Sequence, residues 1–184
     1  MSELSPRPMD VDAFLAWSEG REGRFELHEG VAVAMSPERS LHLLAKGEAY
    51  VALRDAVARA GLACRAYPDG ATVRASSRSA FEPDALVRCG PPLPPDQVEI
   101  PDPVIVVQVL SPSTWRIDFG VKLEAYFSLP SVAHYLIVDA DRRKVIHHKR
   151  GVGDALETRI LSHGAIKLDP PGLEILAENL FGLE

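Results

Sequence analysis

Apolar and polar positions along this chain switch between two periods, and each switch marks a structural element. Val11, Phe14, Leu15 and Trp17 fall at helical spacing and predict a short amphipathic helix over residues 10–18. The stretch "RFELHEGVAVAMS" changes to alternation and predicts a hairpin, 24–28 and 31–36, around a Glu29-Gly30 turn. Ser36 as N-cap, with Pro37 and Glu38 in the first turn, then opens the longest helix. Leu41, Leu44, Ala45, Val51, Ala52 and Ala56 track one face of it, and Gly61 stops it after Ala60. Short strands follow at 63–67, 71–75 and 85–88, divided by Pro-Asp-Gly and Ser-rich turns. Six prolines within residues 90–103 make that segment a loop.

Residues 104–110 form an almost continuous β-branched and aliphatic run, the pattern of a central strand buried on both faces. "SPST" breaks it, and a helix is predicted over 118–128. Strands at 134–139 and 144–149 enclose the 140–143 turn, and 155–161 and 166–168 read as edge strands. Pro170-Pro171 ends the last of these before a short C-terminal helix, 173–181. No repeat or interdomain linker interrupts the series. The expected fold class is therefore α/β (α+β): one domain over residues 1–184, with helices flanking a central mixed sheet of six or more strands.

Composition narrows the function classes. With 46% hydrophobic and 25% charged residues the chain is of ordinary globular type. No apolar stretch reaches membrane-spanning length, and the first ten residues lack the features of a secretory signal. Cys64 and Cys89 form no metal-type cluster and are too few for a disulfide framework. Two plain buried thiols in a reduced, cytoplasmic protein are the expectation. The net charge of −6 argues against a nucleic-acid coat protein, but its distribution is uneven. Residues 115–150 carry 7 basic against 4 acidic side chains, which suits either a local polyanion-binding face or a solvated hairpin guarding an edge.

Gln108 is the anomaly in the buried run, because an unpaired buried amide costs about 1–3 kcal/mol. Asp84 stands at the start of a neighbouring strand, Glu26 lies in the early hairpin, and Lys122 lies on the helix after the central strand. Asp84 and Gln108 could offer two oxygens to a hard divalent cation, with Glu26 as a third. Lys122 could orient a nucleophilic water or neutralise charge on a phosphate. Equally, Asp118, Lys122 and Tyr126 have the i, i+4 spacing of an ordinary helix-surface set. His147 and His148 are adjacent on a strand and so point to opposite faces. Nucleotide-binding and serine-hydrolase motifs are absent.

The ordered series "RFELHEGVAVAMSPERSLH", "EPDALV", "VIVVQVLSPSTWRIDFGVKLEAYFSLPSVAHYLIVDADRRKV" and "LDPPGLEILAENLF" resembles the Uma-type family of restriction endonucleases. That family falls within the PD-(D/E)XK nuclease superfamily, and the resemblance covers residues 25–181. Its most specific part is "VLSPST" followed by Asp118, Lys122 and Tyr126. The resemblance implies a restriction-endonuclease-like fold and a Mg²⁺-dependent site, with Mn²⁺ as substitute, that hydrolyses DNA. Pro83-Asp84 matches the PD pair, which makes Asp84 a metal ligand together with Gln108 and the backbone carbonyl of Val109. Glu26 matches the acidic residue of the hairpin, and Lys122 takes over the lysine function. His42 and Arg116 are the candidate substrate contacts; Trp115 is a core plug or a base-stacking residue. Gln108 stands where the family pattern has a glutamate, and Leu110 where it has a lysine. A neutral amide weakens a metal site and cannot act as a general base. The alternative to an active endonuclease is thus a degenerate nuclease fold serving as a nucleic-acid-binding or assembly module. Edge strands at 144–161 offer a route to a homodimer.

Overall fold

The computed structural model describes residues 8–111 and 115–182, with the backbone only at 115 and 116. Helix α1 (Val11–Ser18) is capped by Asp10, whose carboxylate accepts from the Ala13 N–H. Strands β1 (Phe25–His28) and β2 (Val31–Ala34) form the expected hairpin. Glu29 and Gly30 both have positive φ, 47° and 88°, the turn conformation that matches strand twist and that glycine adopts without strain. Helix α2 (Ser40–Ala60) ends at Gly61 in the left-handed region. Its start corrects the expectation. Residues 36–39 stay outside the helix, because the Glu38 carboxylate is drawn back to Lys46, 2.5 Å away.

Strands β3 (Cys64–Pro68), β4 (Val73–Arg74), β5 (Ala80–Phe81) and β6 (Ala85–Cys89) follow. β5 has no counterpart in the sequence pattern, since two residues carry no period. The central strand is β7 (Pro103–Val109), followed by α3 (Trp115–Phe119) and α4 (Val121–Ser128), which separate at Gly120 where one continuous helix was expected. Strands β8 (His134–Asp139), β9 (Lys144–Arg150), β10 (Leu156–Leu161), β11 (Ala165–Leu168) and β12 (Leu173–Leu176) complete the chain with a 3-10 turn, Ala177–Leu180. The expected C-terminal helix is thus a strand and a single tight turn. Leu173 and Ile175 point inward and Glu174 and Leu176 outward, the alternation of a strand paired with β11.

The main sheet has the order β10-β9-β8-β7-β6-β3. Only β7 and β8 run parallel in it; the crossover between them is α3–α4. Ile105, Val107 and Val109 face α2 and the β11–β12 hairpin, while Val106 faces α4 and Tyr126. Both faces are therefore covered, as the apolar run in β7 demands. A smaller sheet, β2-β1-β5-β4, packs with α1 around Phe14, Leu27 and Ala80. Among the described residues no helix is long and apolar enough to cross a membrane.

The cysteines depart from expectation. The β3–β6 register sets Cys64 directly opposite Cys89, and the two are joined in a disulfide. Neither is a plain buried thiol, so cysteine usage no longer argues for a reducing compartment.

Candidate active site

Asp84 sits just before β6, and its N–H still donates to the Val107 carbonyl at 2.9 Å. Its side chain then takes over where β6 lacks a partner for the next stretch of β7. Oδ2 accepts from the Val109 N–H at 2.5 Å and from Gln108 Nε2 at 2.8 Å. Gln108 is buried and fully engaged, since its Oε1 accepts from Lys122 Nζ at 3.3 Å. The amide is placed with its donor toward a carboxylate and its acceptor toward an ammonium. Reversed, it would oppose like with like.

Lys122, Asp118 and Tyr126 are not a surface set; all three are buried. Lys122 Nζ lies 2.8 Å from Glu26 Oε1 and 3.6 Å from Asp118 Oδ1. Glu26 also accepts from the Glu82 N–H at 3.0 Å, and from His28 Nε2 at 3.0 Å through its other oxygen. Burial alone would raise the Glu26 pKa, but Lys122 and His28 outweigh it and bring it down to about 2. Burial would likewise lower the Lys122 pKa, yet Glu26 and Asp118 raise it, so this lysine remains an ammonium.

The other oxygen of Asp84, Oδ1, forms an ion pair with Lys46 Nζ at 2.6 Å. Lys46 further meets Glu38 and, at 3.3 Å, Asp69. Asp69 in turn binds Arg24, which also holds Glu82 at 2.6 Å. For Asp84 burial prevails over these partners, chiefly Lys46, and its carboxyl is pushed up to about 7. Glu26, Glu38, His42, Lys46, Asp84, Gln108 and Lys122 all line one cavity of about 230 Å³. His42 is buried there, and Arg39 donates to its Nε2 at 2.7 Å. Burial, followed by the Arg39 charge, lowers its pKa and keeps it neutral at physiological pH.

The structure therefore brings together Glu26, His42, Asp84, Gln108, Val109 and Lys122, all of them singled out in the sequence. Val109 meets Asp84 through its N–H. The side chains of Trp115 and Arg116, and the Pro-Ser-Thr stretch at 112–114, lie outside the described residues. Sequence reasoning missed Lys46 and Glu38. The available signal was a lysine four residues after His42 on the inward stripe of α2, beside Ala45, Ala49 and Leu53.

The family described as "Uma2: Putative restriction endonuclease" matches residues 11–179. The chain belongs to the Uma2 family. It is 31% identical over 100 residues to an uncharacterized protein of Synechocystis sp., covering 54% of this chain. The matched region is 53% of that curated relative, so the chain spans about half its length. A crystal structure from Anabaena variabilis, titled a "putative nuclease belonging to DUF820", superposes with a TM-score of 0.72. That match covers 95% of this chain and 98% of the other at 18% identity, which supports the shared nuclease-type fold.

As a metal centre, the donor set of this Uma2 site consists of hard oxygens: the Asp84 carboxylate, Gln108 Oε1 and the carboxylates of Glu38 and Glu26. Asp84 Oδ1 is buried with the Lys46 ammonium as its partner, and Glu38 Oε2 is buried without a hydrogen-bond partner. Oxygen donors of that kind fit Mg²⁺ or Mn²⁺. Among the described residues, no three His, Cys, Asp or Glu side chains are already assembled as a ligand cluster.

Proposed function

We propose that this Uma2 chain is a Mg²⁺-dependent endonuclease acting on DNA, with Mn²⁺ able to replace Mg²⁺. The reading rests above all on one observation. Asp84 and Gln108, at the ends of adjacent strands β6 and β7, converge with Lys122 on a single cavity.

Asp84 and Gln108 would hold the cation, with the backbone carbonyl of Val109 as a further oxygen ligand. A bound divalent ion would supply charge stabilisation at the transferring phosphate. Lys122, kept cationic by Glu26 and Asp118, donates toward a phosphate oxygen and offsets the charge that develops there. Glu26 positions that ammonium and is itself held by His28 and the Glu82 N–H. His42 and Arg39, which line the cavity, would contact the substrate backbone, and Arg116 is the further candidate for that role. Pairing of two copies along the exposed edge strand β10 would let a dimer cut both strands.

Incubation of supercoiled plasmid with Mg²⁺ or Mn²⁺ tests the reading. Nicked and linear products are expected from the wild type and not from an Asp84→Ala variant; equal background from both would refute it. One observation favours the second reading, a binding or assembly module without turnover. Asp84, Gln108 and Glu26 already bond to one another or to lysines. On that reading DNA binds and no strand is broken.

A further inference from the structure

Lys46 stands where a cation is required. Its ammonium touches Asp84 Oδ1 at 2.6 Å and Glu38 Oε1 at 2.5 Å, so these two carboxylates, 46 residues apart in sequence, lie within about 5 Å of each other. Asp84 is 1% exposed and Lys46 7%. Asp84 gives its Oδ1 to that ammonium, and Glu38 keeps a second, buried oxygen, Oε2, without a hydrogen-bond partner. Asp69 adds a third negative group at 3.3 Å from the same ammonium. Arg24 shares Asp69 and also holds Glu82, so four carboxylates face the two cations Lys46 and Arg24. Lysine is also a four-carbon stem with a point charge at its tip, able to swing aside through rotamer changes where a guanidinium fork would be fixed by several bonds.

We infer that Lys46 is a built-in cation occupying the divalent-metal position, and that Asp84 and Glu38 become the charged metal ligands once its ammonium withdraws. The inference deepens the nuclease reading and rests on it. Glu38 then supplies the negative charge that Gln108, a neutral amide, does not. It comes from residues 36–39, which stay out of α2 and can carry the carboxylate into the cavity. Lys46 is thus a positioning and competing residue: it holds the two carboxylates together without metal and lowers the site's metal affinity while it does so.

The test is Mn²⁺ binding, by electron paramagnetic resonance of free Mn²⁺ and by the metal-induced rise in melting temperature. Wild type, Lys46→Met and the more polar Lys46→Gln are compared, the last in case the first folds poorly. The expected result is affinity at least about tenfold tighter in the Lys46 variants, with a larger melting shift. Adding Asp84→Asn to the same background should abolish that binding, and adding Glu38→Gln should remove most of the gain. If wild type binds Mn²⁺ through Asp84 and the Lys46 variants bind it no more tightly, the inference is overturned while the metal-site reading stands. Unchanged binding on adding Glu38→Gln overturns the role of Glu38. If no protein binds Mn²⁺, the metal-site reading fails and the inference with it.

Discussion

Gln108 shows how one buried side chain ties two halves of a site together. Its Nε2 serves Asp84 and its Oε1 serves Lys122, so it bridges a carboxylate–lysine pair on either side. Gln108→Glu removes the donor and sets a second carboxylate against Asp84. Without metal that variant should lose about 1–3 kcal/mol of stability by urea unfolding, and saturating Mn²⁺ should return more stability to it than to wild type. Metal-free stability equal to wild type would mean that the Gln108–Asp84 bond contributes nothing. Lys122 is more exacting, because its removal leaves the buried Glu26 carboxylate without its ammonium, held only by His28 and the Glu82 N–H. Lys122→Met is expected to cost about 3–5 kcal/mol. The Glu26→Gln/Lys122→Met double variant should recover part of it, and a purely additive double variant would deny the coupling.

At the scale of elements, β7 and β8 were legible because each carries a long apolar run, and the end of α2 because Gly61 stops it. The buried face of α2 was not: Leu44 of the expected stripe is exposed, and the inward positions are His42, Ala45, Lys46, Ala49, Leu53, Ala56 and Val57. The start of α2 was not legible. Ser36-Pro37-Glu38 has good capping chemistry, but an ion pair between Glu38 and Lys46 overrides it. The last element misled for a related reason: "LEIL" is too short to distinguish the two periods, and only the facing strand β11 decides between them. Strand register also explains the cysteines. Nothing in their spacing of 25 residues indicates a pair, yet β3 and β6 set them opposite each other. Reduction frees the loop between Cys64 and Cys89 in the unfolded chain, so dithiothreitol should lower unfolding free energy by about 3 kcal/mol. A Cys64→Ser variant should then be insensitive to the reductant.

Across the whole molecule, a buried histidine pair joins the main sheet to the segment leading into β12. His134 Nε2 donates to the Pro170 carbonyl at 2.9 Å, so its Nδ1 must accept from His147 Nε2, also at 2.9 Å. Both rings are thereby fixed as neutral tautomers. Burial first, and for His147 the neighbouring His134 as well, lowers each to about 4 from 6.5. A depressed histidine pKa means that the unfolded chain takes up protons first. The stability is full above pH 6.5 and is lost as pH falls toward 4, by on the order of 3 kcal/mol per ring. Asp84, pushed up to about 7 by burial, acts in the opposite sense over the same range. The informative measurement is therefore the difference in urea unfolding between wild type and a His134→Gln/His147→Gln variant at pH 7 and pH 4.5. That difference should shrink at the lower pH, and a constant difference would contradict the assignment.

The sequence by itself determined the mixed sheet, the buried central strand and the family, because these follow from apolar periodicity and from ordered motifs spread over most of the chain. It also singled out Asp84, Gln108, Glu26, His42 and Lys122, whose types were conspicuous in an apolar setting or in the family pattern. Only the tertiary structure decided what those residues touch. Lys46 and Glu38 look like surface charges in the sequence, and Asp118 and Lys122 like a helix-face pair. The reason is that charge pairing at 3 Å depends on which strand ends and helix faces meet, a property of packing that local sequence does not encode.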